Sequence, residues 1–180
     1  MFSVYVTVRK GVKVIEILIF SDSHGNLLPM RQVLLAHGTA SYVLFCGDGV
    51  RDVERLADEF PTKIFLSVKG NCDLFVSEED APQERLFRLG GHCILMTHGH
   101  VYGVKGGYGV AAAHAAKEGA EILVFGHTHV PFEGSIETSY GSIKIFNPGS
   151  IGHTLDGGYS YGVLTIRDNG YLLSHGVQPR

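Results

Sequence analysis

Asp22-Ser23-His24 and His127-Thr128-His129 each place two metal-binding side chains two residues apart. In extended chain such neighbours point to the same side, so either pair can grip one ion, and imidazole suits Mn, Fe, Zn and Ni alike. Alone, neither pattern is distinctive. Gly47-Asp48, Gly70-Asn71 and His98-Gly99-His100 add a carboxylate, an amide and further imidazoles, and each of these groups also follows a short apolar run. The donors are oxygen and nitrogen with no thiolate pair, which argues against a tetrahedral structural zinc. Asp48 can bridge two ions through its two oxygens, while the histidines and the neutral Asn71 amide complete the shells without piling up negative charge. Metals roughly 3.5 to 4 Å apart would lower the pKa of a shared water and clamp a phosphoryl oxygen, which is the two-metal route to in-line hydrolysis.

The elements that must position these residues are the five apolar runs at 14–20, 42–46, 64–68, 93–96 and 122–125. Their length and continuity predict buried strands. If they belong to one sheet, their ends gather at a single edge, where open α/β sheets bind ligands. Helices are predicted at about 29–37 and 50–60, so the first half reads as a βαβαβ unit of parallel strands. Pro29 suits a first helical turn and Pro61 closes the second helix. Residues 85–89, Gly90-Gly91 and 92–96 read as a hairpin, because paired glycines supply the positive φ of a tight turn. An Ala-rich helix at 108–118 precedes the last of the five runs. Hairpins at 134–146 and 159–175 complete the chain, while 77–81 reads as an acidic surface loop. Two sheets packed face to face account for both halves, with the parallel unit starting one and the hairpins completing the other. Residues 14–180 read as a single domain, and 1–13 as either an extension or an edge strand.

The 180 residues are 44% hydrophobic and 18% charged, which is the make-up of a globular domain with a full core. A net charge of −3 without a basic cluster leaves nucleic-acid binding unsupported. Three cysteines form no disulfide framework and fit a reducing compartment, with Cys46 and Cys93 packed in strands. Residues 12–20 carry Lys13 and Glu16 and fall short of the roughly 20 apolar residues of a bilayer span. No secretory signal is recognisable, so the cytoplasm is the expected compartment and no membrane partner is expected.

In this order, Asp22-x-His24, Gly47-Asp48, Gly70-Asn71, His98-Gly99 and Gly126-His127-x-His129 resemble the five motifs of the calcineurin-like metallophosphoesterase superfamily. The small size, Gly70-Asn71-Cys72-Asp73 and Asn147-Pro148-Gly149-Ser150 look most like its YfcE-type small phosphodiesterase branch. The resemblance spans residues 14–167 and implies a four-layer α/β/β/α sandwich of two mixed sheets flanked by helices. It implies one metal held by Asp22, His24, Asp48 and His129, and another by Asp48, Asn71, His98 and His127. Two divalent ions are implied, Mn²⁺ first, with Fe, Ni or Zn as alternatives. The implied activity is a metal-dependent phosphodiesterase: a metal-bridging hydroxide attacks a small phosphate ester in line, with Asp48, Asn71 and His98 at the reacting centre. A homo-oligomer is implied as well. The alternatives are a phosphomonoesterase or protein phosphatase on the same metals, and a non-catalytic protein-binding scaffold like Vps29, whose metal site is impaired. Every ligand position here carries a competent residue.

One position departs from the pattern. Many members have His after the Gly-Asn pair, where this chain has Cys72. A neutral thiol is a poorer acid near pH 7 than imidazolium, which favours diesters or activated esters. Cys72 is expected to be simply packed. His100, the nearest spare imidazole in sequence, is open to a phosphate contact or to a place behind the ligands. Gly149 and Ser150 read as a strand-ending turn, with an approach to the site as the alternative. His37, His92, His114, His153 and His175 show no partner pattern and read as surface or core residues.

Overall fold

Successive residues of a strand point to opposite faces, and in the central strands at 42–45, 92–97 and 122–124 both faces are largely buried. The computed structural model describes residues 4–5, 14–153 and 158–180. In chain order the elements are β1 (Val4–Tyr5), β2 (Val14–Phe20), α1 (Leu27–Ala36), β3 (Tyr42–Phe45), α2 (Val50–Glu59), β4 (Ile64–Ser67), β5 (Glu84–Leu89) and β6 (His92–Thr97). After a 3₁₀ turn at His100–Tyr102 come α3 (Gly109–Lys117), β7 (Ile122–Val124), β8 (Phe132–Thr138), β9 (Gly141–Asn147), β10 (Gly158–Arg167) and β11 (Gly170–Pro179). Two mixed sheets result, ordered β11-β10-β2-β3-β4 and β1-β5-β6-β7-β9-β8.

Three apolar clusters make the layers. Between the sheets, Ile17 and Ile19 of β2 and Leu44 of β3 meet Ile94 and Met96 of β6 and Val124 of β7. On the outer face of the first sheet, Leu18, Phe20, Val43 and Phe45 pack on Met30, Val33 and Leu34 of α1 and on Val53 and Leu56 of α2. On the outer face of the second, Leu95, Leu123 and Ile145 pack on Ala111, Ala112 and Ala115 of α3, whose small side chains allow a close approach. This is the four-layer α/β/β/α sandwich. It explains the uninterrupted apolar runs: each fully buried Leu, Ile or Phe contributes about 1.5–3 kcal/mol.

Three expectations are corrected. The five motif strands do not share a sheet, since β2, β3 and β4 lie in one while β6 and β7 lie in the other. Their carboxyl ends still meet, because the sheets are stacked. The hairpin β10–β11 completes the first sheet rather than the second, with β10 antiparallel to β2. That pairing covers the edge of β2 and delivers Leu164 and Ile166 to the inter-sheet core. β4, read as buried, is an edge strand with Ile64 45% exposed.

The Gly90-Gly91 turn has φ of 58° and 92°, as a two-residue hairpin connection requires. Val4–Tyr5 pairs in parallel with β5 at the edge of the second sheet, while the rest of segment 1–13 lies outside the described residues. No helix among the described residues is long and apolar enough to cross a membrane.

Candidate metal centre

Asp22, His24, Asp48, His127 and His129 have φ of 57°, 46°, 60°, 66° and 61°, and they are all of the positive-φ residues other than glycine among the described residues. The two D-x-H and H-x-H pairs are therefore not extended, as the sequence suggested, but turned into the left-handed region at the strand ends. Asp and His tolerate that region better than most residues, yet each such residue costs on the order of 1–3 kcal/mol. Hydrogen bonds between the loops hold the turns in place: Asp22 N–H donates to Gly47 O (2.9 Å), His24 N–H to Asp48 O (3.1 Å) and Gly126 N–H to His98 O (3.2 Å).

The seven candidate ligands come together as two groups sharing Asp48. In the first, His129 Nε2 lies 3.1 Å from Asp22 Oδ1 and 3.4 Å from His24 Nε2, and His24 Nε2 is 3.9 Å from Asp48 Oδ2. In the second, His98 Nε2 lies 3.5 Å from Asp48 Oδ2, 3.2 Å from Asn71 Oδ1 and 3.1 Å from His127 Nδ1. Asp48 Oδ2 alone faces both groups, because Oδ1 accepts the Cys72 N–H at 2.7 Å. His98 is fully buried, and its Nδ1 sits 2.6 Å from Cys46 O. A carbonyl oxygen only accepts, so Nδ1 donates to it, and the bond turns Nε2 towards the site.

The protonation preferences of the cluster differ from residue to residue. Burial, with neighbouring His98 and Lys105, pushes His127 down to about 4. Burial also lowers His24 against the pull of Asp22 and Asp48. His129 instead rises, chiefly through its contact with Asp22. Burial would raise Asp22, but the close His129 imidazole, the Ser21 hydrogen bond and the nearby His98 outweigh it and hold the carboxyl below its usual value. Asp22 Oδ1 is buried and makes no directed hydrogen bond, despite His129 Nε2 at 3.1 Å. A fully buried acceptor left this way is costly unless a cation satisfies it. With imidazoles, two carboxylates and an amide oxygen gathered in two groups that share Asp48, the arrangement fits divalent metal ions.

The remaining expected residues take these places. His100 lies beside the second group, its ring 5.2 Å from that of His98, and its Nδ1 is buried without a hydrogen bond among the described residues. Burial foremost lowers its pKa. Cys72 is exposed rather than packed, because it stands in the loop beyond β4, and its Sγ lies within 4.8 Å of ligand atoms of His24 and Asp48. Partial burial and then the Asp48 carboxylate push its thiol up to about 11. Cys46 and Cys93 are buried, as expected. The Gly149-Ser150 turn does approach the site, since Ser150 Oγ donates to Asp22 O at 2.8 Å. Asn147 braces the neighbouring loop by donating to Gly126 O (2.9 Å) and Thr128 Oγ1 (3.1 Å).

The histidines read as partnerless have partners that only folding reveals. His37 Nδ1 meets Glu16 (3.0 Å), His92 meets Glu121 (2.9 Å), His114 meets Glu84 (3.0 Å) and His175 meets Asn147 O (2.8 Å). His153 stands at the first ligand group itself. Its loop has no periodicity from which that could be read.

Two acidic residues support the loops: Asp73, which the sequence marked only as the end of the Gly70-Asn71-Cys72-Asp73 motif, and Asp52, which it did not single out. Asp73 accepts four backbone N–H groups, and Asp52 Oδ2 accepts Ser23 Oγ–H (2.6 Å) and Gly25 N–H (2.8 Å). Asp52 had a signal, being an acid in the first turn of α2.

Two stacked mixed sheets carrying a carboxylate–histidine cluster at their strand ends define a metallophosphoesterase-type protein. The sequence matches the calcineurin-like phosphoesterase superfamily domain over residues 15–169, and the chain belongs to that superfamily. It is 33% identical over 156 residues to the probable metallophosphoesterase YsnB of Bacillus subtilis, covering 86% of each chain. It is 30% identical over 173 residues to phosphodiesterase YfcE of Escherichia coli K12, covering 83% of this chain and 86% of that one. Among solved structures, a predicted phosphoesterase from Streptococcus pneumoniae TIGR4 superposes with a TM-score of 0.73 at 26% identity, covering 93% of this chain and 92% of that one. Vps29 from Cryptosporidium parvum shares the fold, with a TM-score of 0.69 at 20% identity and coverage of 94% and 100%.

Proposed function

We propose that this chain is a metal-dependent phosphodiesterase of the YfcE-type branch, acting on small phosphate esters in the cytoplasm with two divalent ions, Mn²⁺ first. The carrying observation is that Asp48 Oδ2 lies within 3.9 Å of His24 Nε2 and 3.5 Å of His98 Nε2, so one oxygen serves two ligand groups. Asp22, His24, Asp48 and His129 would hold one ion, and Asp48, Asn71, His98 and His127 the other. When bound, the pair would supply an activated water and neutralise charge developing on the phosphoryl oxygens.

The chain's own residues favour a diester. A cleft of about 250 Å³ opens from His24 and Asp48 past Cys72 to Arg51, Leu74 and Phe75. Arg51 forms no salt bridge among the described residues, and Phe75 is 87% exposed, so the cleft offers a free cation and an apolar face to the group beyond the phosphate. Cys72, where many members have His, suits esters whose leaving group departs without a strong acid. The name of the 30% identical relative, a phosphodiesterase, supports the same reading.

Asp48→Ala, shown to be folded by circular dichroism, should lose more than about 100-fold of its turnover of bis(p-nitrophenyl) phosphate with Mn²⁺. Wild-type turnover in that variant would sink the mechanism. Equal rates on mono- and diesters of the same leaving group would favour the monoesterase. The scaffold reading stands opposed by the complete ligand set. It would prevail if unstripped protein contained no transition metal and took up none on titration.

A further inference from the structure

We propose that His153 is an additional imidazole ligand of the metal bound by Asp22, His24, Asp48 and His129, raising that group from four protein donors to five. The inference rests on the dinuclear reading above. Ring nitrogens of His24, His129 and His153 lie within 4.8 Å of one another. The His153 ring stands edge-on to His24, with centroids 4.7 Å apart, and nearly parallel to His129 at 5.6 Å. Its ring nitrogens take no hydrogen bond from the described residues. Two of these imidazoles already stand beside the Asp22 carboxylate, His129 at 3.1 Å and His24 at 3.8 Å, so the three converge where one cation can use their lone pairs.

The placement of His153 is enforced by the site and not by a free loop. Its backbone N–H donates to Ser150 Oγ at 2.9 Å, and the same hydroxyl donates to Asp22 O at 2.8 Å. Gly152 N–H donates to Asp22 O at 3.1 Å, and Asn26 Nδ2 donates to Gly152 O at 3.3 Å. The approach is so close that a Cβ on Gly152 would fall 2.0 Å from Ser23 O. Segment 150–153 is thus bound to the Asp22–His24 loop at several points, and those bonds set His153 over the first ligand group. Mn²⁺ and Fe²⁺ accept five or six donors where a structural zinc takes four.

The test is metal binding rather than turnover. Apo protein is titrated with Co²⁺ by calorimetry, and its visible absorption is recorded, for wild type, His153→Ala, His153→Gln and, as a remote control, His92→Ala. His92 pairs with Glu121 away from the centre. Loss of a partner behind a ligand already costs about 10–100-fold in affinity, so His153→Ala should weaken one of two Co²⁺ steps by at least about 10-fold. It should also change the intensity of the d–d bands, with His153→Gln between it and wild type and His92→Ala unchanged. Two steps of wild-type affinity and an unaltered spectrum in both His153 variants would overturn the His153 assignment while leaving the dinuclear centre standing. A wild-type protein that binds no Co²⁺ would overturn both.

Discussion

The carboxylate of Asp73 accepts the backbone N–H of Asp48 at 2.8 Å, so a residue outside both ligand groups holds the one residue they share. The same oxygen accepts Gly70 N–H at 2.8 Å, and the other accepts Gly49 and Val50 N–H at 2.9 and 3.0 Å. These donors belong to the loops after β3 and β4 and to the start of α2. One anion therefore ties two motif loops together and neutralises the positive end of a helix dipole.

Asp73→Ala strands these donors, and the loss should be about 2–3 kcal/mol of stability. Asp73→Asn keeps the shape and one acceptor and should lose less. Urea unfolding of the apo proteins orders the three. If Asp73→Ala matched wild type, the clamp would be decorative.

Gly70→Ala attacks the same junction sterically. A Cβ there would lie 2.1 Å from Asp48 Oδ1 and 2.6 Å from Asp48 N, so either the carboxylate turns or the loop shifts. We expect loss of metal binding with several kcal/mol of destabilisation. Gly109→Ala is the contrast: at the start of α3, nothing stands within 4 Å of its Cβ and the backbone is helical. It should stabilise by about 0.4–1 kcal/mol through the unfolded state. Thermal melts of both variants test the pair, and a neutral Gly70→Ala would contradict the geometry.

These contrasts bear on what could be read from the chain. The sandwich was legible because Ile17 and Leu18, or Leu44 and Phe45, are apolar on both faces, which only strands covered on both sides require. The ligands were legible because Asp22, His24, Asp48, Asn71, His98, His127 and His129 each follow such a run. What stayed hidden depends on long-range pairing. Nothing in the sequence of β10 distinguishes β2 from a strand of the other sheet as its neighbour. Left-handed backbone at Asp22 and His129 has no marker, since neither is glycine. His153 meets His24 only after the loop folds back across well over a hundred residues of chain.

The strained turns and the buried Asp22 Oδ1, faced by the imidazoles of His129 and His24, predict that the apo protein sits above its most stable state. An ion at 100 times its Kd adds about 2.7 kcal/mol, and for a domain of this size each kcal/mol moves Tm by about 2–4 °C. Saturating Mn²⁺ should therefore raise Tm by about 5–10 °C, and a chelator should reverse it. Asp48→Ala should lose most of the gain, because both ligand groups lose their common oxygen. Scanning calorimetry at matched ionic strength measures this. An unchanged Tm in the wild type would separate the ligand-like geometry from any actual affinity.

Cys72→His tests the leaving-group argument. The wild-type thiol, accepting Asn71 Nδ2–H at 3.2 Å and lying within 4.8 Å of His24 and Asp48 ligand atoms, sits where a side chain could reach a departing oxygen. An imidazole there supplies an acid whose pKa is near neutrality, which is worth up to about 10²–10⁴ when the leaving group needs a proton and little when it does not. Along a series of phosphodiesters of rising leaving-group pKa, kcat/KM of the variant should exceed wild type increasingly, by about 10-fold or more for alkyl esters, while nitrophenyl esters stay close to equal. The slope of log kcat/KM against leaving-group pKa should flatten accordingly. Metal content must be checked in parallel, because the new imidazole could also bind an ion. A uniform change across the series, with both ions retained, would mean that position 72 acts on substrate binding, and the acid for alkyl esters would have to be sought elsewhere in the cleft.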